Sequence, residues 1–332
     1  MFATILGPYP RPPVAPGPDA DELRQVLADQ LEAGLGMLAD GLVWRLAGDA
    51  SDEDREILLD AWRRANDLAG ELASDMEASL QPPPVKACLV GPYSAVRDAR
   101  PAEPAGVRRR ATLAAAEVLN VQAAALFRAG APVVQLSEDG LTAIATDDDQ
   151  ERELAAEALR RATDGLSGHV SLSVSGGNAD AAGAALFFDA PFASYLFDLI
   201  NGPDNWRLIT QAPHDRGIIC GVADTRPGTV TDEAVMVWAA RYAASSNGRG
   251  LERVGLAPAA GLELLSRDVA RATLTGLAEA ARKAGLPGAE LAKEIDPRAV
   301  DARSGALGRF DADAAAALGR GLPGLTRPRT RR

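Results

Sequence analysis

Short apolar runs alternate with longer Ala- and Leu-rich runs along most of the chain. The short runs have the length and β-branched content of buried strands, whereas the long runs repeat their apolar residues at helical period. Eight strands are predicted, near residues 3–7, 36–39, 84–90, 132–136, 168–173, 193–199, 217–223 and 251–256. Helices are predicted near residues 19–35, 52–78, 108–129, 150–163, 178–189, 204–212, 231–246 and 262–284. This regular alternation predicts a parallel sheet with crossover helices.

Strand–helix units in this number fit two α/β architectures, a closed (β/α)8 TIM barrel and an open doubly wound sheet. An open sheet that binds a dinucleotide or nucleotide carries a glycine-rich turn after its first strand. Here the first strand runs into Leu6-Gly7-Pro8-Tyr9-Pro10, which cannot cradle a pyrophosphate. We therefore expect the barrel over residues 1–285, with residues 286–332 as a helical extension that ends in a basic tail.

Charge and hydropathy limit the partners of the protein. The chain has 332 residues and a net charge of −11, so it would repel a phosphate backbone and nucleic acid is not an expected partner. No apolar run reaches the roughly 18 residues that a membrane-spanning helix needs. The N-terminal apolar stretch lacks a basic region before it, which favours a first strand over a signal peptide. We expect a cytoplasmic protein that binds a small molecule.

Cysteine and histidine are scarce. The chain contains Cys88, Cys220, His169 and His214 and no others of either type. Two cysteines exclude a disulfide framework, and a Cys₂His₂ metal site would need all four residues. Both cysteines lie inside predicted strands and are interpreted as buried packing residues. His214 lies in the loop before the seventh strand, at the end of a barrel opposite to its usual active site.

The active site of a (β/α)8 barrel lies at the C-terminal ends of its strands. Polar residues near the predicted strand ends are therefore the candidates for function. They are, in chain order, Tyr9, Arg11, Asp40, Trp44, Tyr93, Arg97, Ser137, Glu138, Asp139, His169, Ser171, Ser173, Asp198, Asn201, Asp224, Thr225 and Arg226. The eighth strand ends in Ala257-Pro258-Ala259-Ala260, without a polar side chain.

Several strand ends resemble sequence blocks in the catalytic barrel of cobalamin-independent methionine synthase. The first is Ile5-Leu6-Gly7-Pro8-Tyr9-Pro10, and residues 33–41 are similar to the family's AGLD-x-x-x-DGE segment. Further blocks follow in the family's order, namely Gly91-Pro92-Tyr93, Val134-Gln135-Leu136-Ser137-Glu138, Gly221-Val222-Ala223-Asp224 and Ala257-Pro258-Ala259-Ala260-Gly261-Leu262. The similarity spans residues 3–285 and is to the short form that lacks the duplicated N-terminal half.

The resemblance implies a zinc site in a degraded form. In that family zinc binds the homocysteine thiol and lowers its pKa, which yields the thiolate that attacks a methyl donor. The ligands are a His-x-Cys pair, a glutamate and a later cysteine. Carried onto this sequence, they fall on His169, Ser171, Asp198 or Leu199, and Ala260. Because both soft ligands are replaced, no catalytic zinc and no tightly bound cofactor are expected.

The resemblance also implies altered substrate contacts. The glutamate of DGE is Leu42, the aspartate of the family's DEP block is Ser137 beside the retained Glu138, and the histidine expected after Asp224 is Arg226. Carboxylates that would hold an α-ammonium group are lost and a cation is gained, which favours a carboxylate or phosphate ligand. The predicted substrate contacts are Asp40, Tyr93, Ser137, Glu138, Ser171 and Arg226.

The leading hypothesis is a methionine synthase-like methyltransferase that needs no zinc and acts on an acceptor other than homocysteine. Its methyl donor would be a methyl-folate or a methyl-corrinoid, and a corrinoid or other protein is a possible partner. Without zinc, His169, Asp198 or Asp224 would act as general base on an acceptor with an easily removed proton.

Other interpretations stay open. Loss of several ligands together also fits a non-catalytic binding or partner subunit, with residues 286–332 as the interaction element. The related barrel of uroporphyrinogen decarboxylase holds substrate carboxylates with arginines, and Arg11, Arg97 and Arg226 could converge in the same way. Each candidate also has a structural interpretation: His169 as a hydrogen-bonded core residue, Asp224 as the cap of a turn, and Arg226 as an exposed ion pair.

Overall fold

Seven parallel strands form the sheet of the protein, in a computed structural model that describes residues 1–10, 20–41, 52–76 and 81–295. They are β1 (Phe2–Ala3), β2 (Ala87–Val90), β3 (Val133–Ser137), β4 (His169–Val174), β5 (Ser194–Asp198), β6 (Gly217–Ala223) and β7 (Val254–Pro258). The order across the sheet is β1-β7-β6-β5-β4-β3-β2, and every neighbouring pair is parallel. The predicted α/β class and the predicted parallel sheet are confirmed.

The segment predicted as the second strand, 36–39, forms isolated bridges in place of a full strand. It makes one parallel bridge to each edge of the sheet, Met37 with Thr4 and Leu38 with Val85. The Gln30 side chain, fully buried on the first helix, donates to the carbonyl of Ala39 (2.7 Å) and accepts from its backbone N–H (2.9 Å). Because this amide takes the hydrogen bonds that a neighbouring strand would make, the segment connects the two edge strands without extending the ladder.

Ten α-helices lie in the described parts of the chain. They are α1 (Ala20–Glu32), α2 (Asp52–Met76), α3 (Pro92–Ala99), α4 (Ala105–Ala129), α5 (Asp149–Thr163), α6 (Ala184–Phe188), α7 (Trp206–Gln211), α8 (Glu233–Ser245), α9 (Arg267–Ala284) and α10 (Gly288–Glu294). The long helices agree with the periodicity. The sequence pattern missed α3, because Gly91-Pro92-Tyr93 has the composition of a loop, although proline is favoured at the first position of a helix.

The sheet has two faces with different packing. Alternate residues such as Val134, Leu136 and Leu172 pack against the helices in one large apolar cluster. The opposite face, which we call the inner face, has its own small cluster of Leu6, Leu196, Ile219 and Ala257 with Phe2 against it. Period-two alternation along each strand separates the two sets. We call the C-terminal ends of the strands, on the side of the inner face, the mouth.

Parts of the predicted organisation fall outside the described residues. These include Arg11, Leu42, Trp44 and the tail after residue 295. The beginning of the predicted extension is described, and there α10 packs beside α9 through Leu291 and Ile295. Within the described ranges, none of the helices has both the length and the apolar character of a membrane span.

Candidate functional site

A lysine lies buried on the inner face, beside the edge strand β2. Lys86, just before β2, is 2% exposed, and its ammonium donates to the carbonyl of Ile5 (2.7 Å) and to Oε1 of Gln135 (2.8 Å). Burial lowers the pKa of Lys86 below its usual value, because an apolar environment disfavours the charged form. The sequence offered a signal for this residue, since a single lysine interrupts the apolar run PVKACLV.

The polar region continues from Lys86 across β3 and β4. Gln135 donates to Oγ of Ser173 (3.2 Å), and the hydroxyls of Ser173 and Ser137 are 3.0 Å apart. Gln135 and Ser173 are fully buried, whereas Ser137 is partly exposed. The predicted substrate contact Ser137 therefore lies at the solvent end of a hydrogen-bonded chain that begins at the lysine.

The mouth is open on one side and filled on the other. Along β2 the exposure increases toward the mouth, from buried Lys86 to partly exposed Cys88 and to Val90, which is 42% exposed. On the far side, the apolar cluster of the inner face fills the space between β1, β5, β6 and β7. Among the described residues, solvent therefore reaches the mouth at Cys88, Val90 and Ser137, beside β2 and β3. Cys88 packs against the main apolar cluster, as predicted, but is partly exposed, whereas Cys220 is buried as predicted.

Cys88 and Asp40 belong to this open side. Burial raises the pKa of the Cys88 thiol to about 12, and of the two charges that act on it, Lys86 lowers the pKa and Asp40 raises it. Asp40, a predicted substrate contact, is partly exposed and also interacts electrostatically with Lys86. The open side thus combines an amine, a thiol, a carboxylate and a hydroxyl.

Glu138 is fully buried at the end of β3 and caps α3. Its Oε1 accepts from the backbone N–H of Tyr93 (3.0 Å), and its Oε2 accepts from the N–H (2.8 Å) and hydroxyl (2.6 Å) of Ser94. Burial raises the pKa of Glu138 to about 7, although these three donors favour the ionised form. The predicted substrate contact Glu138 is therefore committed to holding the loop between β2 and α3.

The raised pKa of Glu138 gives a pH prediction. Since the folded-state pKa of about 7 exceeds the ordinary 4.5, the contribution of the protonated acid to stability is complete below pH 4.5 and is lost as the pH rises through 7. A shift of this size corresponds to about 3 kcal/mol. Urea unfolding from pH 5 to 8 should show wild type losing stability relative to Glu138→Gln, which cannot titrate. Parallel pH curves for the two proteins would contradict this.

Tyr93 points away from the mouth. Its hydroxyl donates to Oε2 of Glu151 on α5 (2.8 Å), and Arg97 approaches the same hydroxyl at 3.4 Å. Burial, together with the hydrogen bond to Glu151, raises the pKa of Tyr93. The prediction that Tyr93 and Arg97 face a ligand is corrected: since they lie on α3 rather than on an extended loop, they tie that helix to α5 instead.

Asp198 lies at the end of β5, as predicted, and is fully buried. Its Oδ1 accepts from the N–H groups of Ile200 and Asn201 (both 2.9 Å), and its Oδ2 accepts from the N–H of Gly176 (2.9 Å) and the amide of Asn201 (2.8 Å). The carboxylate thus fixes the loop after β5 to the loop after β4. With four donors on two oxygens, it lacks a free lone pair suited to a general base.

Asp224 and Arg226 follow β6 and pair with each other. Arg226 Nε donates to both carboxylate oxygens of Asp224 (2.9 and 3.1 Å), and its Nη2 makes a further short contact. Burial opposes ionisation of Asp224, but the hydrogen bonds from Arg226 outweigh it and hold the pKa of Asp224 below its usual range. The predicted ligand clamp is therefore neutralised by its neighbour, in the ion pair that the structural interpretation had described.

His169 was predicted at a strand end facing the mouth, and this placement was wrong. It is the first residue of β4, exposed at the opposite end of the sheet from the mouth. Its Nε2 lies 2.8 Å from Oγ of Ser194, which donates to Oγ of buried Ser171 (2.9 Å). Ser171 thus faces inward below the mouth and is linked to His169 rather than to the open side. The predicted strand began one residue before His169, so the sequence already contained this position.

The position of His169 predicts a small effect of its removal. His169→Ala should change the free energy of unfolding by no more than about 1 kcal/mol, since only one partly exposed hydrogen bond is lost. Any activity at the mouth should remain within about twofold of wild type, measured alongside a urea titration. A loss of a hundredfold or more with a folded protein would instead restore His169 as a catalytic group.

The donor set of the mouth does not suit zinc. Within the described ranges, no three His, Cys, Asp or Glu side chains come close enough together to hold a metal ion. Of the two positions predicted for the His-x-Cys pair, His169 lies at the opposite end of the sheet from the mouth and Ser171 is a buried serine. Neutral hydroxyls are poor zinc ligands beside imidazole, thiolate and carboxylate.

A groove of about 640 Å³ lies away from the mouth. It is lined mainly by apolar residues of α8 and α10, among them Trp238, Tyr242, Leu291 and Ile295. Leu251, which precedes β7, also lines it and marks its position near the N-terminal ends of the strands. The groove is separate from the residues described above.

The curled parallel sheet with helices on its outer face defines an α/β protein with a TIM-barrel-like fold. No protein-family model matches the sequence, and no curated protein matches it. Among solved structures, a B12-independent methionine synthase from Shewanella sp. W3-18-1, in complex with selenomethionine, is 15% identical with a TM-score of 0.67, over 84% of this chain and 96% of that one.

Two further solved structures share the fold. A putative vitamin-B12 independent methionine synthase from Listeria monocytogenes is 13% identical with a TM-score of 0.61, over 86% of this chain and 98% of that one. A methyltransferase from Methanosarcina mazei is 15% identical with a TM-score of 0.50, over 83% of this chain and 70% of that one. At these identities the likeness shows a common fold, in agreement with the resemblance found in the sequence.

Proposed function

We propose that this protein is a methionine synthase-like methyltransferase that works without a catalytic zinc ion, on a small-molecule acceptor other than homocysteine. The observation that supports this most is the combination of a fold shared with two methionine synthases and a mouth without a zinc-binding set of side chains among the described residues. We further propose that residues 36–39 act as the eighth strand and close a (β/α)8 barrel over residues 1–285, with 286–332 as a separate extension.

The open side of the mouth is where we place the acceptor. Cys88, Val90 and Ser137 line it, with exposure increasing from Cys88 to Val90, and Lys86 lies buried beneath them. Asp40 is the carboxylate next to this side, and we assign it the contact with the acceptor's acidic proton. The bases that the sequence predicted are placed differently: His169 lies at the opposite end of the sheet, Asp198 accepts four hydrogen bonds and Asp224 is paired with Arg226.

The methyl donor is proposed from the resemblance alone. A methyl-folate or a methyl-corrinoid would present an electrophilic methyl group at the mouth, and a corrinoid would arrive free or on a partner protein. The acceptor would attack that methyl group, losing its proton to the base and releasing the demethylated donor. An acceptor with an acidic proton can reach its anion without a metal, whereas a thiol of ordinary pKa gains much from zinc.

Methyl transfer in the presence of a zinc chelator tests the proposal. Methyl-cobalamin and methyl-tetrahydrofolate are offered as donors with a panel of carbon, nitrogen, oxygen and sulfur acids, homocysteine included. We expect chelator-insensitive methylation of an acceptor other than homocysteine, lowered at least tenfold by Asp40→Asn and unchanged by Asp60→Asn on the exposed face of α2. Homocysteine methylation that the chelator abolishes would overturn the proposal.

A second candidate is a non-catalytic binding subunit, and one observation favours it. Val230 in the loop after β6 is 95% exposed, and Leu264 in the loop after β7 is 76% exposed. Both loops follow strand ends, so these apolar side chains stand beside the mouth, where a partner would cover them. Val230→Asp with Leu264→Asp would abolish binding of a partner while leaving small-molecule methyl transfer intact, which distinguishes the two functions.

A further inference from the structure

We propose that the open side of the mouth is an anion subsite, in which Lys86 supplies the positive charge and Cys88, Val90 and Ser137 form the walls. It would take the carboxylate, or another anionic group, of a small organic acid. The identification of that acid with the methyl acceptor rests on the proposed function. The preference for an anion does not, and it can be tested without any methyl donor.

Lys86 makes no ion pair among the described residues. An ammonium group has three donors, and the two hydrogen bonds of Lys86 go to uncharged oxygens, the carbonyl of Ile5 and the amide of Gln135. Gln135 is itself committed on its other side to Ser173. Since the described residues supply no ion pair for this buried amine, an anion that comes near it would stabilise its charged form.

The side chains along β2 give a ligand access to Lys86 from solvent. Cys88 and Val90 lie on the same face of the strand as Lys86, two and four residues closer to the mouth, because side chains alternate along a strand. Cys88 is partly exposed, and Val90 is 42% exposed. A ligand that enters from solvent beside β2 therefore meets Val90 and Cys88 before it reaches the Lys86 amine.

Asp40 lies on the same side, and its negative charge would repel an anion there. At the Cys88 sulfur burial raises the pKa most, while Lys86 lowers it more strongly than Asp40 raises it. The two charges together therefore act in favour of an anion there, and burial acts against it. This local preference runs against the charge of the whole chain, which is −11. A local measurement at Cys88 therefore separates the subsite from the average field of the protein.

A purely structural role for Lys86 is the competing interpretation. Its two hydrogen bonds connect the segment after β1, the residue before β2 and strand β3. If Lys86 serves only this purpose, its replacement should change the stability of the protein and nothing else. The anion subsite makes a different prediction, since it requires the charge of Lys86 to act on molecules that enter the mouth.

The test uses Cys88 as a reporter of charge. The folded full-length protein is alkylated with iodoacetate, which is anionic, and in parallel with iodoacetamide, which is neutral and of similar size. Both reagents attack the same thiolate, so the ratio of their rates cancels the thiolate fraction and reports the local potential. Peptide mass mapping assigns the label to Cys88, and Cys220 is fully buried. A neutral model thiol, N-acetylcysteine amide, gives the reference ratio.

We expect the iodoacetate-to-iodoacetamide ratio at Cys88 to exceed that of the model thiol. Lys86→Met should lower it by roughly tenfold, the change that one unit charge produces several ångströms away at a partly solvated site. Asp40→Asn should raise it, and Lys293→Met, which removes one charge from exposed α10, should leave it unchanged. In wild type the ratio should also fall as the pH rises and the amine loses its proton.

A wild-type ratio at or below that of the model thiol would overturn the proposal, and this arm needs no variant to fold. A folded Lys86→Met protein with an unchanged ratio would overturn it as well and leave Lys86 a structural residue. A raised ratio in a protein that transfers no methyl group would support the subsite while the proposed function fails.

Discussion

Replacing Gly91 with alanine is expected to destabilise the protein by about 3–5 kcal/mol, because a Cβ at that position would overlap the side chain of Glu138. Glu138 cannot move aside without giving up three hydrogen bonds to Tyr93 and Ser94. The backbone of Gly91 is also fixed, since its N–H donates to the carbonyl of Ser137 (2.8 Å). Chemical denaturation of the purified variant measures the loss.

A matched glycine provides the control for Gly91→Ala. Gly70 lies inside α2, and a Cβ added there meets no atom within 4 Å. Gly70→Ala should therefore stabilise the protein by about 0.5–1 kcal/mol, through the lower entropy of its unfolded chain. If Gly91→Ala lowers the free energy of unfolding by less than about 1 kcal/mol, the loop before α3 can adapt and Glu138 does not hold it rigidly.

Removal of the Asp198 carboxylate is expected to cost about 3–5 kcal/mol, because four donors from Gly176, Ile200 and Asn201 would lose their buried acceptor. Asp198→Ala should also loosen the loops after β4 and β5, which hydrogen exchange at Gly176 and Asn201 would report. Asp60→Ala is the control: its carboxylate is 74% exposed and pairs only with Arg63, so a change within about 0.5 kcal/mol is expected.

Asp198→Asn separates the structural role of this carboxylate from a catalytic one. Asparagine keeps one acceptor oxygen, so it should recover part of the stability that alanine loses. Activity should follow the folded fraction of the protein. A fully folded Asp198→Asn protein that has lost all methyl transfer would contradict the structural assignment and restore Asp198 as a general base.

The sequence predicted the periodic parts of this fold well. Strand β6 was predicted with its observed bounds, and the long helices differ from their predicted ends by a few residues. Period-two and period-3.6 patterns are local, so they survive without tertiary information. The 36–39 segment was placed correctly but forms only a pair of bridges, because Gln30, on a different element, takes both backbone hydrogen bonds of Ala39.

The candidate site was predicted less well, because side-chain direction and partners depend on contacts between distant residues. Asp40 and Ser137 lie at the open side, and their role as substrate contacts stays a prediction. Lys86 was not predicted, because it lies inside an apolar run, whereas the predicted site residues are polar residues near strand ends. Tyr93 illustrates the reason for the other errors: its hydroxyl finds Glu151, which is 58 residues away in the sequence. No pattern in the sequence specifies such a pairing.

The zinc content of the full-length protein tests the central claim most directly. The protein is expressed without added zinc, purified without chelator or metal affinity, and analysed by elemental mass spectrometry, followed by a zinc titration against a competing chelator. A zinc-independent methyltransferase should contain well below 0.2 zinc per chain, roughly the background of weak surface sites, and should lose the ion to the competitor. Near-stoichiometric zinc that resists the competitor, and disappears in Cys88→Ser or Asp40→Asn, would contradict the claim and make thiol methylation the leading activity.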